Sequence, residues 1–431
     1  MYNISQYPRF TVIIPQKDRA EYIYHTLRTC MIQDYPNFEV IVSDDCSEDN
    51  SVEVISGLAK KDQRIKLFAH KEHLGMHDNF EFALNQVKPG YVLALGGDDG
   101  LTPGCIWRMY EILKQTGKQL LTWPNSGFGY ATEEGGANSF VVRRSKTNNI
   151  QIIKSEVFLN SIAKSFRYLV NMCPMFYVKG VASTELVDRV KSRTPDGSFY
   201  YCPTPDGFSG VVLAGEVEDY VYSPEPLSLS GTTPKSQGKN YHMTDSKSRF
   251  EAEQFFNDNV RRTMHKELAS QPYSPLATLM TADYLLTARD LPGWPGQFEM
   301  FNMESLLRRT FDFISKSKFH KDTLSRELNI LLNIAKQHHL EDLFYELYNT
   351  TKLRHSTAKP TVGFVYTNSL RFDGSQLGIH NIFDASLATP FVYNLSQHLS
   401  VKELFNMGKN TINVLLNTKR YNTEPLSNVP L

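Results

Sequence analysis

The chain has 431 residues, beyond the roughly 100–200 of one ordinary domain, and 41% hydrophobic with 21% charged residues supports a sizeable core and excludes a compositionally disordered chain. Lys plus Arg and Asp plus Glu number 46 each, so the formal charge is zero and a general nucleic-acid-binding role, which needs a basic face, is not expected. The five cysteines include no C-x-x-C pair, which argues against a disulfide framework or structural zinc site, and no apolar run resembles a signal peptide or approaches the ~18–20 residues of a membrane span.

The first 125 residues alternate strand and helix patterns, which implies a parallel sheet with crossover helices. Residues 10–15 (FTVIIP) read as a buried strand, 21–33 as a helix, and 38–44 (FEVIVSD) as a second strand ending in acids. A helix over 50–61, a strand over 65–69, a helix over 78–87 and a strand over 91–95 (YVLAL) follow, the last running into Gly-Gly-Asp-Asp-Gly. A helix over 104–115 and a strand over 119–123 complete the unit. The next hundred residues are less regular: strands over 139–143 and 175–178, helices over 155–166 and 184–191, and an apolar helix ending near Gly215. Segment 225–239 is dense in Pro, Ser, Gly and Thr and reads as a loop or linker. Beyond it, helical spacing recurs at 245–270, 275–288, 303–317, 321–337 and 340–349.

Ligands of parallel α/β sheets bind beyond the carboxyl ends of the strands. Three such ends carry polar groups here: Gln16-Lys17-Asp18-Arg19, Asp44-Asp45 and Asp98-Asp99. One acidic strand end could simply start a helix. Two in one sheet, the second framed by glycines, suit close approach to a ligand and oxygen ligation of Mg²⁺ or Mn²⁺. No G-x-x-x-x-G-K-[ST] loop, G-x-G-x-x-G fingerprint or G-x-S-x-G elbow occurs, which disfavours kinase, dehydrogenase and serine-hydrolase readings.

The stretch FTVIIPQKDRAEYIYHTLRTCMIQDYPNFEVIVSDDCSEDNS, followed by HLGMHDNFEFALNQVKPGYVLALGGDDGLTP, resembles the opening and the acidic motif of family 2 glycosyltransferases. The likeness covers roughly residues 9–125 and weakens towards 240. It implies the GT-A fold, an α/β fold with a Rossmann-like, mostly parallel sheet and flanking helices. A mainly α-helical C-terminal region would follow. The domain expectation is 1–235 for the transferase unit (nucleotide-sugar side 1–125, acceptor side 126–235) and 236–431 for the helical region.

The resemblance further implies an inverting transfer from a nucleoside-diphosphate sugar, a UDP-sugar being favoured, with Mn²⁺ or Mg²⁺ as cofactor. Asp45 resembles the acid that hydrogen-bonds the nucleobase, Pro15 and Arg19 fall on the nucleotide-contacting loop, and Asn79 on the helix facing the base. Asp98 and Asp99 match the acidic motif, Asp99 being the preferred direct metal contact. Many relatives place Tyr-Asn after the first strand; here Lys17-Asp18 stands there. Inversion also requires a base for the acceptor hydroxyl. Asp206, in Thr-Pro-Asp-Gly-Phe-Ser, fits that position, although it also suits a helix N-cap; Asp196, Glu216 and Glu218 compete.

The loop around 229–238 reads either as a lid with Lys235 facing the diphosphate or as a plain linker, and His242 as surface or structural. Residues 401–416 have an amphipathic pattern that could dock on a membrane surface or a partner enzyme, or pack on the protein's own helices, and the helical region 236–431 could serve dimerisation, acceptor binding or membrane docking. The acceptor expected is a saccharide or lipid-linked glycan, and the location the cytoplasm or the inner face of the cell membrane. Two other readings compete: a non-catalytic scaffold or nucleotide-sugar sensor, and a sugar nucleotidyltransferase. The second would want a glycine-rich loop that Pro-Gln-Lys-Asp-Arg lacks.

Overall fold

The computed structural model describes residues 6–131, 138–145, 147–202, 204–236, 254, 262–317, 319–356, 363–364, 369–398 and 421–426. The first unit runs β1 (Phe10–Gln16), α1 (Ala20–Met31), β2 (Phe38–Asp44), α2 (Ser51–Ala59), β3 (Ile65–Ala69), α3 (Met76–Asn85), β4 (Tyr91–Ala94), β5 (Gly100–Leu101), α4 (Cys105–Thr116) and β6 (Leu120–Thr122). Strand β1 pairs in parallel with both β2 and β4, and all seven of its residues are buried. A strand covered on both faces has no use for alternation, hence its near-continuous apolar run. Val12 and Ile14 point into the core under α1, α2 and α4, whereas Ile13 points into the core on the opposite face.

The chain continues through β7 (Ser126–Gly129), β8 (Ser139–Arg143), β9 (Gln151–Lys154), α5 (Ser155–Ser165), β10 (Gly180–Ser183), α6 (Thr184–Lys191), α7 (Gly207–Gly215), β11 (Asp219–Tyr222) and β12 (Ser228–Thr232). The main sheet has eight strands in the order β3-β2-β1-β4-β10-β6-β11-β9, with β10 and β9 antiparallel to their neighbours. This is the mostly parallel α/β sheet with flanking helices that the sequence led us to expect.

Two local expectations are corrected. Residues 175–178 form no strand; the strand lies at β10, because Val178 adopts φ 64°, outside the extended region. Segment 225–239 is not only loop, since β12 runs through it, anchored by buried Ser228 and Leu229.

Beyond residue 262 come α8 (Ala277–Asp290), α9 (Met303–Lys316), α10 (Lys321–Gln337) and α11 (Glu341–Thr350), close to the limits read from periodicity. The helix expected over 245–270 falls largely outside the described residues; of its described part, Gln254 is helical and Lys266–Leu268 form a 3-10 turn. Then follow β13 (Lys352–Ser356), β14 (Gly363–Phe364), β15 (Ser369–Asp373), α12 (Ile382–His398) and β16 (Tyr421–Pro425). His242 and the amphipathic stretch 401–416 lie outside the described residues.

Packing does not stop at residue 235. Leu279, Leu285, Leu306 and Leu331 from α8–α10 share one core with Phe208 and Val211 of α7 and Ile13 of β1. Trp294, in the Pro-Gly-Trp-Pro-Gly connector, donates its indole N–H to the Val212 carbonyl at 3.1 Å. Strand β15 returns to a second sheet, ordered β14-β15-β8-β7-β12-β5. Helix α12 covers it, with Ile382 and Ala385 packing on Phe128, Phe140, Val142 and Leu229. No helix among the described residues is long and apolar enough to cross a membrane.

Candidate functional site

Parallel pairing aligns the carboxyl ends of β1, β2 and β4, so the loops after Gln16, Asp44 and Ala94 gather at one edge. The turn after β4 also leads directly into β5 of the second sheet. Asp98 and Asp99 therefore stand at the junction of the two sheets.

Asp99 is almost wholly buried, and its carboxylate clamps the turn: Oδ2 accepts the Gly96 amide at 2.6 Å and Oδ1 the Gly231 amide at 2.8 Å. Burial first, and the adjacent Asp98 carboxylate second, push the Asp99 acid well above the usual carboxylate range. Two carboxylates in a dry turn cannot both stay ionised without a nearby cation. Arg19 supplies part of that charge, with Nη1 3.9 Å from Asp98 Oδ2.

Arg19 does more than face Asp98. Its Nη1 donates to Thr233 Oγ1 at 2.7 Å and its Nη2 to the Lys235 carbonyl at 3.2 Å. Lys235 Nζ in turn donates to the Asp18 carbonyl at 2.7 Å. The segment after β12 is thus fastened across the β1–α1 loop, next to the acidic turn.

Asp45 is buried and accepts backbone amides from Leu74 at 2.6 Å and Gly75 at 3.1 Å, with His73 Nδ1 at 2.9 Å. Lys17 Nζ lies 3.3 Å from the same His73 nitrogen. Asp44 serves the backbone instead: Oδ1 accepts the Ser47 amide at 2.9 Å, while Oδ2 accepts the Ser47 hydroxyl and the Gln16 side-chain amide. Asn79, on α3, is buried and donates to the Ser43 carbonyl at 3.2 Å. Pro15 is buried within β1 opposite Ser43, with only backbone to offer.

Asp206 precedes α7, yet its side chain makes no capping bond. Its Oδ2 accepts the Tyr168 hydroxyl at 3.2 Å, and its Oδ1 is buried with no partner. The competing acids are occupied otherwise. Asp196 accepts the Ser198 amide and hydroxyl, Glu216 is clasped by Arg193 at 2.5 Å, and Glu218 pairs with Lys154 at the surface.

The structure therefore brings Arg19, Asp98 and Asp99 into one cluster and Asp45 and Asn79 into another. Gln16 joins the two, since its carbonyl accepts the Asp45 amide at 2.9 Å and its side chain flanks Gly97 beside Arg19. Sequence reasoning noted Gln16 only as part of a polar strand end and missed Asn125 and Tyr177. Asn125 donates to Ser230 Oγ, next to the Gly231 that holds Asp99. Tyr177 packs its hydroxyl against Gly96, where a Cβ would stand 2.6 Å away. Burial, then Asp99, Asp98 and Asp206, raise the Tyr177 phenol, which places it in the field of all three acids. Neither Asn125 nor Tyr177 has a motif signal, because each acts through its place in the fold.

Buried oxygen acceptors without partners line this edge: Gln16 Oε1, Asn79 Oδ1, Asn125 Oδ1 and Asp206 Oδ1. Orphaned acceptors are costly unless a ligand or water supplies donors, and the N–H and O–H groups of a base and a sugar would. For a cation, no group of three or more His, Cys, Asp or Glu side chains comes together among the described residues. Two carboxylates still fit Mg²⁺ or Mn²⁺, which commonly complete their shells with water and substrate phosphates. Each Asp99 oxygen, though it accepts one amide, keeps a further lone pair.

Part of the chain is similar to known glycosyltransferases. The family model described as glycosyl transferase family 2 matches residues 11–161. An uncharacterized glycosyltransferase of Haemophilus influenzae is 24% identical over 151 residues, 35% of this chain and 59% of that protein. The GalNAc(5)-diNAcBac-PP-undecaprenol beta-1,3-glucosyltransferase of Campylobacter jejuni is 33% identical over 100 residues, 23% of this chain and 32% of that protein. The chain thus spans less than two thirds of the length of these relatives. Among solved structures, S. aureus TarS 1-349 in complex with UDP-GlcNAc aligns with a TM-score of 0.44 at 13% identity, over 79% of this chain and 90% of that one.

Proposed function

We propose that this chain, whose residues 11–161 match the family model described as glycosyl transferase family 2, is an inverting, metal-dependent glycosyltransferase. It moves a sugar from a nucleoside-diphosphate donor, a UDP-sugar by preference, to a hydroxyl of a saccharide or lipid-linked glycan. The observation that carries the reading is the acidic turn, with Asp98 and Asp99 against Arg19 at the strand ends and the buried, partnerless Asp206 Oδ1 on the α7 side. The glycan acceptor class is also the one named for the Campylobacter jejuni relative.

In this reading Asp45 and Asn79 receive the nucleobase, the Asn79 carbonyl oxygen accepting from its N–H groups. Arg19 and Lys235 face the diphosphate. Asp98 and Asp99 hold the divalent ion, which when bound stabilises charge on the departing diphosphate. Asp206 takes the proton of the attacking hydroxyl through Oδ1, while Tyr168 holds Oδ2 and so fixes the carboxylate plane. The segment 233–235, bolted to Arg19 and Asp18, acts as the cover that keeps water from the donor. The chain works in the cytoplasm or at the inner membrane face, where such donors are made available.

Calorimetric titration of UDP, GDP and dTDP, each with and without Mn²⁺, tests the reading on wild type, Asp98→Asn and Asp99→Ala. Metal-dependent binding of one nucleotide, weakened at least tenfold in both variants, is expected. No binding of any nucleotide by the wild type would overturn it in favour of a non-catalytic scaffold.

A further inference from the structure

We propose that Arg143, Arg167 and Arg371 form an anion-binding subsite that receives the phosphate or diphosphate group of the acceptor. The acceptor assignment rests on the transferase reading above; the anion site itself does not.

The sheet register builds the pair at its centre. Arg143 of β8 lies opposite Ser369 of β15, and Arg371 lies opposite Val141. The two arginines are therefore diagonal neighbours on one face, close enough for long side chains to meet. The other face of the same strands is apolar, with Phe140 and Val142 packed beneath α12. Arg167 lies just beyond α5, in a separate part of the chain. The surrounding protein, then Arg371, then Arg167, hold the Arg143 guanidinium below the ordinary arginine value. Arg143 and Arg167 nevertheless remain open to solvent.

Like charges held close together on one sheet face repel unless something compensates them. Among the described residues no carboxylate comes within ion-pair distance of any of the three, although carboxylates equal cations in the chain as a whole. Arg371 Nε is also buried with no hydrogen-bond partner. An unpaired buried donor beside two further guanidiniums is a built vacancy for an anion.

Location joins this cluster to the reaction. Arg167 directly precedes Tyr168, whose hydroxyl holds Asp206. Lys179, also in the field of Arg143, lies two residues from Tyr177 at the acidic turn. On the transferase reading, chain adjacency to the Tyr168 that holds Asp206 assigns the subsite to the acceptor. Guanidinium forks match phosphate oxygens two at a time, and three fixed positive charges suit a group carrying more than one negative charge. A neutral sugar would leave them uncompensated.

The probe is inorganic pyrophosphate, titrated calorimetrically into the full chain in EDTA, for wild type, Arg143→Gln, Arg167→Gln and Arg371→Gln. Nucleotide binding with Mn²⁺ is measured separately on the same four proteins, and thermal unfolding reports whether each is folded. Expected are salt-sensitive pyrophosphate binding to wild type, at least tenfold weakening in Arg143→Gln and Arg371→Gln, and nucleotide affinity unchanged within twofold. Solvent-exposed Arg167→Gln, which leaves the sheet untouched, should weaken pyrophosphate as well. No pyrophosphate binding to wild type, or equal binding to folded variants, overturns the subsite whether or not nucleotide binds. Arginine-dependent pyrophosphate binding without nucleotide binding would keep the subsite and remove the transferase reading.

Discussion

Gly231 stands against the backbone of Asp98 so closely that a Cβ at 231 would lie 1.9 Å from the Asp98 carbonyl oxygen. The same residue donates its amide to Asp99 Oδ1 at 2.8 Å. Strand β12 and the acidic turn are thus fitted to each other by contact and by hydrogen bond. Gly231→Ala must push them apart and release Asp99. Metal-dependent nucleotide affinity should fall at least tenfold, read by calorimetry, while the far-ultraviolet circular dichroism stays that of the wild type.

Arg19 fastens the segment 233–235 through two nitrogens of one guanidinium. Arg19→Ala frees that segment, and Arg19→Lys cannot make both bonds at once. Limited proteolysis should cut near Lys235 several-fold faster in both variants. The protection should not return on adding nucleotide and Mn²⁺ to the alanine variant.

Asp206→Asn keeps the shape of the side chain and removes its basicity. A drop of about 10²–10⁴ in kcat follows for loss of a general base, with donor affinity unchanged. Tyr168→Phe deletes one hydrogen bond to the carboxylate, on the order of 1.5–3 kcal/mol, and should cost kcat less than Asp206→Asn does. Equal donor affinity with unchanged kcat in Asp206→Asn would move the base to another residue.

Lys179 is buried and donates to the carbonyls of Val170 and Asn171, each at 2.8 Å. Burial, opposed by Cys173 and reinforced by Arg143, lowers its pKa to about 8. An unfolded lysine titrates near 10.4, so below pH 8 the folded state carries the full cost of the buried charge, about 3 kcal/mol. Between about 8 and 10.4 the unfolded chain holds the extra proton, and stability rises with pH. Denaturant unfolding should show wild type gaining about 2 kcal/mol on Lys179→Met between pH 7.5 and 9.5. A constant difference would mean that Lys179 is not depressed.

Trp294 pins the helical region to α7, the element that Asp206 directly precedes. Trp294→Ala leaves a cavity and strands the Val212 carbonyl that the indole satisfied. A loss of about 3–5 kcal/mol is expected for a buried aromatic. Gly215 has no room for a side chain, since its Cβ would stand 2.0 Å from Trp294 Cζ2, so Gly215→Ala should destabilise by displacing the same ring.

The first unit was legible because its strands are buried on both faces and its acids fall at strand ends. FTVIIP, FEVIVSD and YVLAL announce themselves by composition, and α9 and α10 by period. The second sheet was not legible. Its strands are short, β7 is Ser-Gly-Phe-Gly, and β12 lies among serines, glycines and threonines whose pairing is set by distant partners. Helix α12 carries Pro390 inside it, which argues locally against a helix that tertiary packing imposes. Of the site, Asp45, Asp98, Asp99 and Asp206 could be named from motif and context. Tyr177 and Asn125 could not, since nothing near them in the chain distinguishes them from core or turn residues, and Gln16 stood out only as one member of a polar strand end.

Strand β8 pairs on one side with β7, made moments earlier, and on the other with β15, which lies far downstream. At about 5–20 residues per second, synthesis leaves an interval on the order of 10–50 s before β15 exists. For that time the nascent chain shows an open strand edge beside the uncovered rings of Phe128 and Phe140, a template for pairing with a neighbour on the same polysome. Soluble yield should therefore depend on what shields that edge during translation, and separately supplied peptide 369–398 would be a means of closing it.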